Sequence, residues 1–454
     1  MSNKPSIPQG TRDFSAEVVR KRNYIFSVIR HIFELYSFQP LETPAMENLE
    51  TLTGKYGEEG DMLIFKILNN GINNEKNIEK SKLGFKKLLE GKSSSDITER
   101  ALKYDLTIPF ARYVAMNHTK IIFPFRRYQI QPVWRADRPQ KGRYREFTQC
   151  DVDVVGSLSL LNEVELANIY HEVFIQLGLT NYELKINSRK ILFALAELCG
   201  GEEKLIDITI AIDKLDKIGL EKVKAELQQR GINNEQINII ETYLGINGSN
   251  EEKLDQIKSL VGSIAIGKQG IEEVEFLLQQ AKNTNITIDF TLARGLNYYT
   301  GIIFEAKAPK QVNIGSIGGG GRYNDLTSLF GVPNIAGVGI SFGVDRIYDV
   351  LEEMNLFPQD VQTNTKALFF NLGEAESYFA FGVMQKLRSS GIACELYHEA
   401  VKINKQFTYA ENKNIPYIII IGSKEMMDQS CTVKNLATGN QQIITLESLV
   451  NYLK

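Results

Sequence analysis

Apolar residues recur at helical spacing near the start of the chain, where Ile25, Ile29, Ile32, Phe33 and Tyr36 share one face of a helix predicted over 15–38. Pro40 and Pro44 then impose an extended segment. Residues 66–100 are rich in Asn, Lys and Ser with weak periodicity, which predicts a long mobile excursion between two strands. Strands are expected at 121–135 and 143–155, joined by a polar loop at 136–142 that contains Pro139 and Gly142. A helix follows at 161–178, with Val164, Ala167, Tyr170, Phe174 and Leu177 on one face and Gly178 placed to end it.

From Ser188 to Lys282 the pattern is helical and highly charged, and strand-like sequence resumes at 286–306. The expected organisation is therefore a domain of residues 1–187 and 283–354, interrupted by a helical insertion at 188–282. Residues 355–365 read as a linker. Beyond it, strand (367–372), helix (375–390), strand (392–397), helix (402–413) and strand (416–421) predict a small α/β domain over 366–454.

Composition narrows the class. With 43% apolar and 24% charged residues, the chain reads as a soluble globular protein of two or three domains. The longest apolar run, "PYIIIIG" at 416–422, is too short to cross a bilayer, so no membrane is expected. Cys150, Cys199, Cys394 and Cys431 are scattered without a CxxC pair, which argues against zinc and for a reducing cytoplasm.

The net charge of −3 makes one local concentration of cations conspicuous: seven Lys/Arg against one acid between Arg126 and Arg145, followed by Asp151 and Asp153. If 143–153 is extended, Arg143, Arg145, Phe147, Gln149, Asp151 and Asp153 share a face. That face runs from cationic through aromatic to anionic. It suits an elongated ligand with phosphates on the guanidiniums, a base against Phe147 and an amine or imidazole near the carboxylates. A solvated sheet edge would explain charges of both signs but not their segregation.

In "LKYDLTIPFARY", Asp105 and Thr107 would project to one side of an extended chain. "LARGLNYYTGIIFEA" (292–306) sets Arg294 ahead of Tyr298 and Tyr299. "GSIGGGGRYNDL" (315–326) is a four-glycine run leading into a helix, and matches neither a P-loop nor GxGxxG. "GVGISFGVDRIYDVLEE" (337–353) reads as strand, glycine turn and helix, with Arg346 in the first helical turn. Spacing alone leaves Arg346 as a helix-surface arginine.

Together these segments resemble the class II aminoacyl-tRNA synthetases and, within them, the histidyl-tRNA synthetase family. The first helix with "LETPAMENLE", then "WRADRPQKGRYREF" and "GVGISFGVDR", are similar to the three class-defining motifs. "LARGLNYYTG", "GGRY" and "GTRDF" are similar to the histidine-specific signatures. Asn297 and Asn324 stand where aspartate is usual. The resemblance implies an α+β fold: an antiparallel-sheet catalytic domain with a helical insertion, and a C-terminal α/β anticodon-binding domain.

It also implies site residues. Arg135, Asp137, Arg143, Phe147 and Arg346 would bind ATP, with Phe147 against adenine and Mg²⁺ bridging the phosphates. Asp105, Thr107, Gln149, Asp153, Arg294, Tyr298, Tyr299 and Tyr323 would bind L-histidine. Arg294 and Arg135 would be catalytic, and Arg138, Gln140 and Lys141 would face the acceptor end of tRNA(His). A homodimer is expected. The nucleophile is the amino acid's own carboxylate, so neither a catalytic triad nor a dedicated protein metal site is expected. The four histidines, His31, His118, His171 and His398, fit structural or surface positions. A non-catalytic relative, or a synthetase for threonine, proline or glycine, agrees less well with the arginines and the imidazole-site residues.

Overall fold

The computed structural model describes residues 4–454 apart from 56, 141, 282–284, 294–297, 359–360 and 362–364. The chain divides into two compact units, one of Met1–Asp13 with Ile25–Leu356 and one of Phe14–Tyr24 with Phe357–Lys454.

The first unit is organised on an eight-stranded sheet. In spatial order its strands are Gln39–Pro40, Phe125–Trp134, Glu146–Val155, Gly337–Gly343, Ser316–Tyr323, Ile302–Lys307, Glu183–Ser188 and Ile286–Ile288. The outermost pair at each end is parallel and every pair between them is antiparallel.

Period-two alternation gives the central strands two different faces. One carries Tyr128, Cys150, Val152, Ile340 and Phe342, and these are buried. Phe342 packs against Phe33 of the helix Ala16–Leu35 and against Tyr170 and Phe174 of the helix Leu161–Gln176. The other face carries Arg127, Gln129, Gln149, Asp151, Asp153 and Ser341, with Gly339 opposite Asp153, Gly343 opposite Gln149 and Gly319 opposite Ser341. The apolar face holds the sheet to its helices and leaves the polar face for chemistry. A run of helices from Arg189–Leu198 to Ala265–Gln280 belongs to the same unit.

The second unit has a five-stranded sheet in the order Cys394–Leu396, Ala367–Phe369, Tyr417–Ile420, Ser430–Asn435, Gln441–Thr445. Alternation again separates two cores, Phe369 and Ile419 on one side and Leu368 and Ile418 on the other. The last two strands form an antiparallel hairpin that the alternation of strand and helix up to residue 421 did not announce.

Other elements differ from their expectation. Within 66–100 lies a helix, Ile78–Leu89, and the flanking strands Lys66–Ile67 and Arg100–Leu102 pair with each other. The helix buries Ser81 and Gly84, with Gly84 against Ile97, instead of a stripe of large apolar residues. Its large apolar residues Ile78, Leu83, Phe85 and Leu89 are exposed, so the buried face is not the one that hydrophobic spacing marks. The glycine run forms the strand Ser316–Tyr323, followed by a short 3-10 turn, Leu326–Phe330.

Candidate active site

A cleft of about 300 Å³ opens on the polar face of the large sheet. Its floor is the glycine-run strand, and its geometry explains the glycines. A Cβ on Gly320 would fall 2.2 Å from the Gly339 carbonyl oxygen, and one on Gly339 would fall 1.9 Å from Oδ1 of Asp153. A side chain on Gly320 would collide with the neighbouring strand at Gly339 and Ile340, and one on Gly339 would displace the cleft carboxylate.

Cations gather at one end. Arg135 donates from Nε to the Tyr104 carbonyl at 3.0 Å, and its guanidinium lies 4.3 Å from the Tyr104 ring centroid and 5.2 Å from that of Phe147. Arg346 donates to the carbonyls of Gly142 (2.9 Å) and Ser316 (2.6 Å). These bonds aim a first-turn helical arginine into the cleft, where spacing alone left it on a surface. Burial and the nearby Arg143 and Arg135 charges lower its pKa, so an anion placed among the three relieves mutual repulsion. Arg143 is exposed, 3.7 Å from Asp137. Asp137, Arg143 and Phe147 all line the cleft.

Carboxylates and phenols occupy the other end. The Tyr323 hydroxyl donates to Asp153 Oδ1 at 2.7 Å, and Arg127 Nη2 lies 2.8 Å from Asp153 Oδ2. Arg127 is fully buried and lies over the Phe110 ring at 4.1 Å. Burial raises the Asp153 pKa, opposed by Arg127 and by the Tyr323 hydrogen bond. Asp151 is pushed up to about 7, chiefly by burial, with Arg127 and a Ser341 hydrogen bond pulling down and Asp153 pushing further up. Tyr298 meets Tyr299 edge-on at 4.9 Å and Tyr323 at 6.1 Å. Arg322, next to Tyr323, pairs through both sides of its guanidinium with buried Glu163, which fixes the end of the glycine strand.

Residues 94–347 match the family model described as histidyl-tRNA synthetase. The chain belongs to the histidyl-tRNA synthetase family. Residues 366–454 match a second model, described as an anticodon binding domain. A histidine--tRNA ligase of Christiangramia forsetii is 51% identical, with 100% of each chain covered. One of Bacteroides fragilis is 52% identical at the same coverage. Among solved structures, the crystal structure of histidyl-tRNA synthetase from a Nostoc species superposes with a TM-score of 0.84 at 30% identity, covering 100% of this chain and 99% of that one. The class II α+β fold expected from the sequence is therefore the fold of this chain.

The cleft gathers most residues singled out in the sequence, but not all by the expected route. Gln149, Asp153, Tyr298, Tyr299 and Tyr323 line it, as do Asp105 and Thr107. The last two are not on an extended segment. Thr107 begins the helix Thr107–Asn117, and Asp105 Oδ1 accepts from the backbone N–H of Ile108 at 3.1 Å. A capping carboxylate satisfies a helix N–H that has no partner within the helix, which explains the turn. The strand after the cationic loop begins only at Glu146, so Arg143 and Arg145 precede it. Arg145 turns away from the cleft to donate to the carbonyls of Asp137 (3.1 Å) and Gln9 (3.3 Å). Arg138 and Gln140 are exposed and outside the cleft lining. Arg294 and Lys141 lie outside the described residues.

Arg127 and Ser341 received no role from the sequence, and Asp151 was placed among the carboxylates of the polar face but not among the family's histidine-binding residues; all three belong to this network. Asp151 and Ser341 line the cleft, and Gln149 Nε2 donates to Ser341 Oγ at 3.2 Å. Two-residue periodicity could have placed Arg127 on the Asp153 side once the register between their strands was known. No histidine lines the cleft. Among the described residues, no group of three or more His, Cys, Asp or Glu side chains is placed to hold a metal, and no helix is long and apolar enough to cross a membrane.

Proposed function

We propose that this cleft performs the reaction of the family: ATP-dependent activation of L-histidine to histidyl-adenylate, then transfer of the histidyl group to the 3′ end of tRNA(His). One observation carries the reading. The polar face of the large sheet places a cluster of arginines at one end of a cleft and a buried Asp153–Tyr323 pair at the other.

In the first step a histidine carboxylate oxygen attacks the α-phosphorus of ATP. An O–P bond forms, the bond from that phosphorus to the bridging oxygen breaks, and pyrophosphate leaves. The nucleophile is already ionised, so the chain's work is positioning and stabilising charge on the phosphates. Arg135, Arg346 and Arg143 hold the phosphates, Phe147 takes the adenine and Asp137 supports Arg143. Mg²⁺ bound with the nucleotide would add positive charge on the phosphates beside Arg135, Arg143 and Arg346. Arg294 meets the carboxylate and the α-phosphate as charge shifts between them. Asp105, Thr107 and Gln149 orient the α-amino group, while Asp153, Tyr298, Tyr299 and Tyr323 surround the imidazole. A pocket of buried polar groups fitted to two ring nitrogens rejects side chains that leave those groups unpaired.

In the second step a ribose hydroxyl at the tRNA 3′ end attacks the adenylate carbonyl, and AMP leaves. Arg138, Gln140 and Lys141 face that acceptor end. The helices between 188 and 282 form an insertion over the acceptor stem, and 366–454 reads the anticodon. The chain works in the cytoplasm, and it works as a homodimer, for which exposed Leu35, Met116, Ile122 and Leu158 on the first unit offer apolar surface.

ATP–pyrophosphate exchange with one amino acid at a time, without tRNA, tests the reading. Exchange with histidine alone is the expected result. Exchange with another amino acid overturns the pocket assignment, and exchange with none, from folded protein, points to a non-catalytic relative.

A further inference from the structure

The carboxylate nearest the imidazole by family pattern, Asp153, already has both oxygens engaged. Tyr323 donates to Oδ1 and Arg127 holds Oδ2. Two positions earlier on the same face stands Asp151, 3% exposed and in the lining of the cleft. Its Oδ1 is buried with no hydrogen-bond partner among the described residues, the carboxyl group's own side-chain hydrogen bond being to Ser341 on the neighbouring strand. Buried carboxylate oxygens without partners are costly and uncommon, and one lining a ligand cleft is the signature of an acceptor waiting for a donor.

Its surroundings fix the direction. Asp151 pairs across the sheet with Gln129 on one side and Ser341 on the other, and Ser341 sits opposite Gly319. Gly319 offers no side chain, and its Cβ position has only the Phe304 carbonyl within reach, at 3.4 Å. The space in front of Asp151 is thus left open toward the cleft. Charge points the same way: two buried carboxylates share one directly paired guanidinium, so the pocket favours a donor carrying positive charge.

We infer that Asp151 is a specificity-determining residue whose Oδ1 accepts an N–H of the bound imidazole, while Asp153 is held by Arg127 and Tyr323 as the partner wall. This assignment rests on the functional reading above. Asp153 then acts as a scaffolded charge, and the direct reading of the ring is shared with its neighbour.

Exchange kinetics on Asp151→Ala and Asp151→Asn test it. In Asp151→Ala, KM for histidine rises on the order of 10- to 100-fold, the range for one hydrogen bond to a charged group, while KM for ATP stays within about twofold. The preference for histidine over 3-(2-thienyl)alanine, a ring of similar shape without an N–H, narrows by a similar factor. In Asp151→Asn, which keeps the volume and one acceptor, KM for histidine rises by a smaller factor with KM for ATP again unchanged. An unchanged histidine KM in either folded variant overturns the assignment. So does an equal loss for histidine and thienylalanine, because an acceptor for the α-amino group would weaken both alike. Wild-type protein that fails to exchange with histidine at all sinks the functional reading instead.

Discussion

Asp151 also makes a prediction about the ligand-free protein. Its pKa is raised from the ordinary 3.8 to about 7, first by burial, and its charged neighbours are Arg127, which opposes the rise, and Asp153 and Asp105, which add to it. The folded state therefore binds a proton more tightly than the unfolded state. Between about pH 4 and 7 the folded chain carries more protons, so stability falls as pH rises through that window. Below the unfolded pKa the stabilising effect of protonation is fully present, and above about 7 it is lost. At about 1.4 kcal/mol for each tenfold change in proton affinity, the full penalty reaches about 4 kcal/mol. Asp151→Asn removes the titration. The expected result is a variant whose melting temperature equals or trails that of wild type at pH 5 but exceeds it by several degrees at pH 8.5, given about 1–2 °C per kcal/mol for a unit this large. Saturating histidine shrinks the pH 8.5 difference, because the ligand binds the charged side chain more tightly than the amide. Scanning fluorimetry at pH 5, 7 and 8.5, with and without histidine, decides it. A melting difference independent of pH would refute the reasoning, since it would mean that Asp151 titrates alike in folded and unfolded chains.

Three further outcomes follow from the geometry. Gly339→Ala sets a Cβ against the Asp153 carboxylate and forces it off Arg127 and Tyr323; overpacking costs about 1–3 kcal/mol, and exchange assays should show KM for histidine rising at least tenfold with KM for ATP little changed. Glu163→Gln leaves the buried Arg322 guanidinium without its charge partner; a loss of about 3–5 kcal/mol is expected in urea unfolding, and a change under about 1 kcal/mol would show the pair to be incidental. Arg294→Ala should slow adenylate formation about 10²- to 10³-fold in a single-turnover assay, as for loss of one preorganised donor, and near-normal activation would remove Arg294 from the mechanism.

The first long helix and the strand Glu146–Val155 were legible because each buries a stripe of large apolar residues with a clean period: Ile25, Ile29, Ile32 and Phe33 on the helix, Cys150, Val152 and Val154 on the strand. The helix Ile78–Leu89 was not, because it packs through Ser81 and Gly84, which carry almost no hydrophobic signal. The hairpin Ser430–Asn435 with Gln441–Thr445 was missed for a related reason, since the second strand is largely exposed and polar.

The candidate site divides in the same way. Local order in the chain was enough to put Phe147, Gln149, Asp151 and Asp153 on one face, because strand geometry alternates whatever surrounds it. It could not show that Arg127 neutralises Asp153, that Tyr323 reaches the same carboxylate across 170 residues, or that Arg346 turns into the cleft through Gly142 and Ser316. Those contacts depend on strand register and on the direction of a first helical turn, which distant segments set together. Periodicity is a property of neighbouring residues and survives in the sequence. Which oxygen of which carboxylate is left open for a ligand is a property of packing, and only the folded chain decides it.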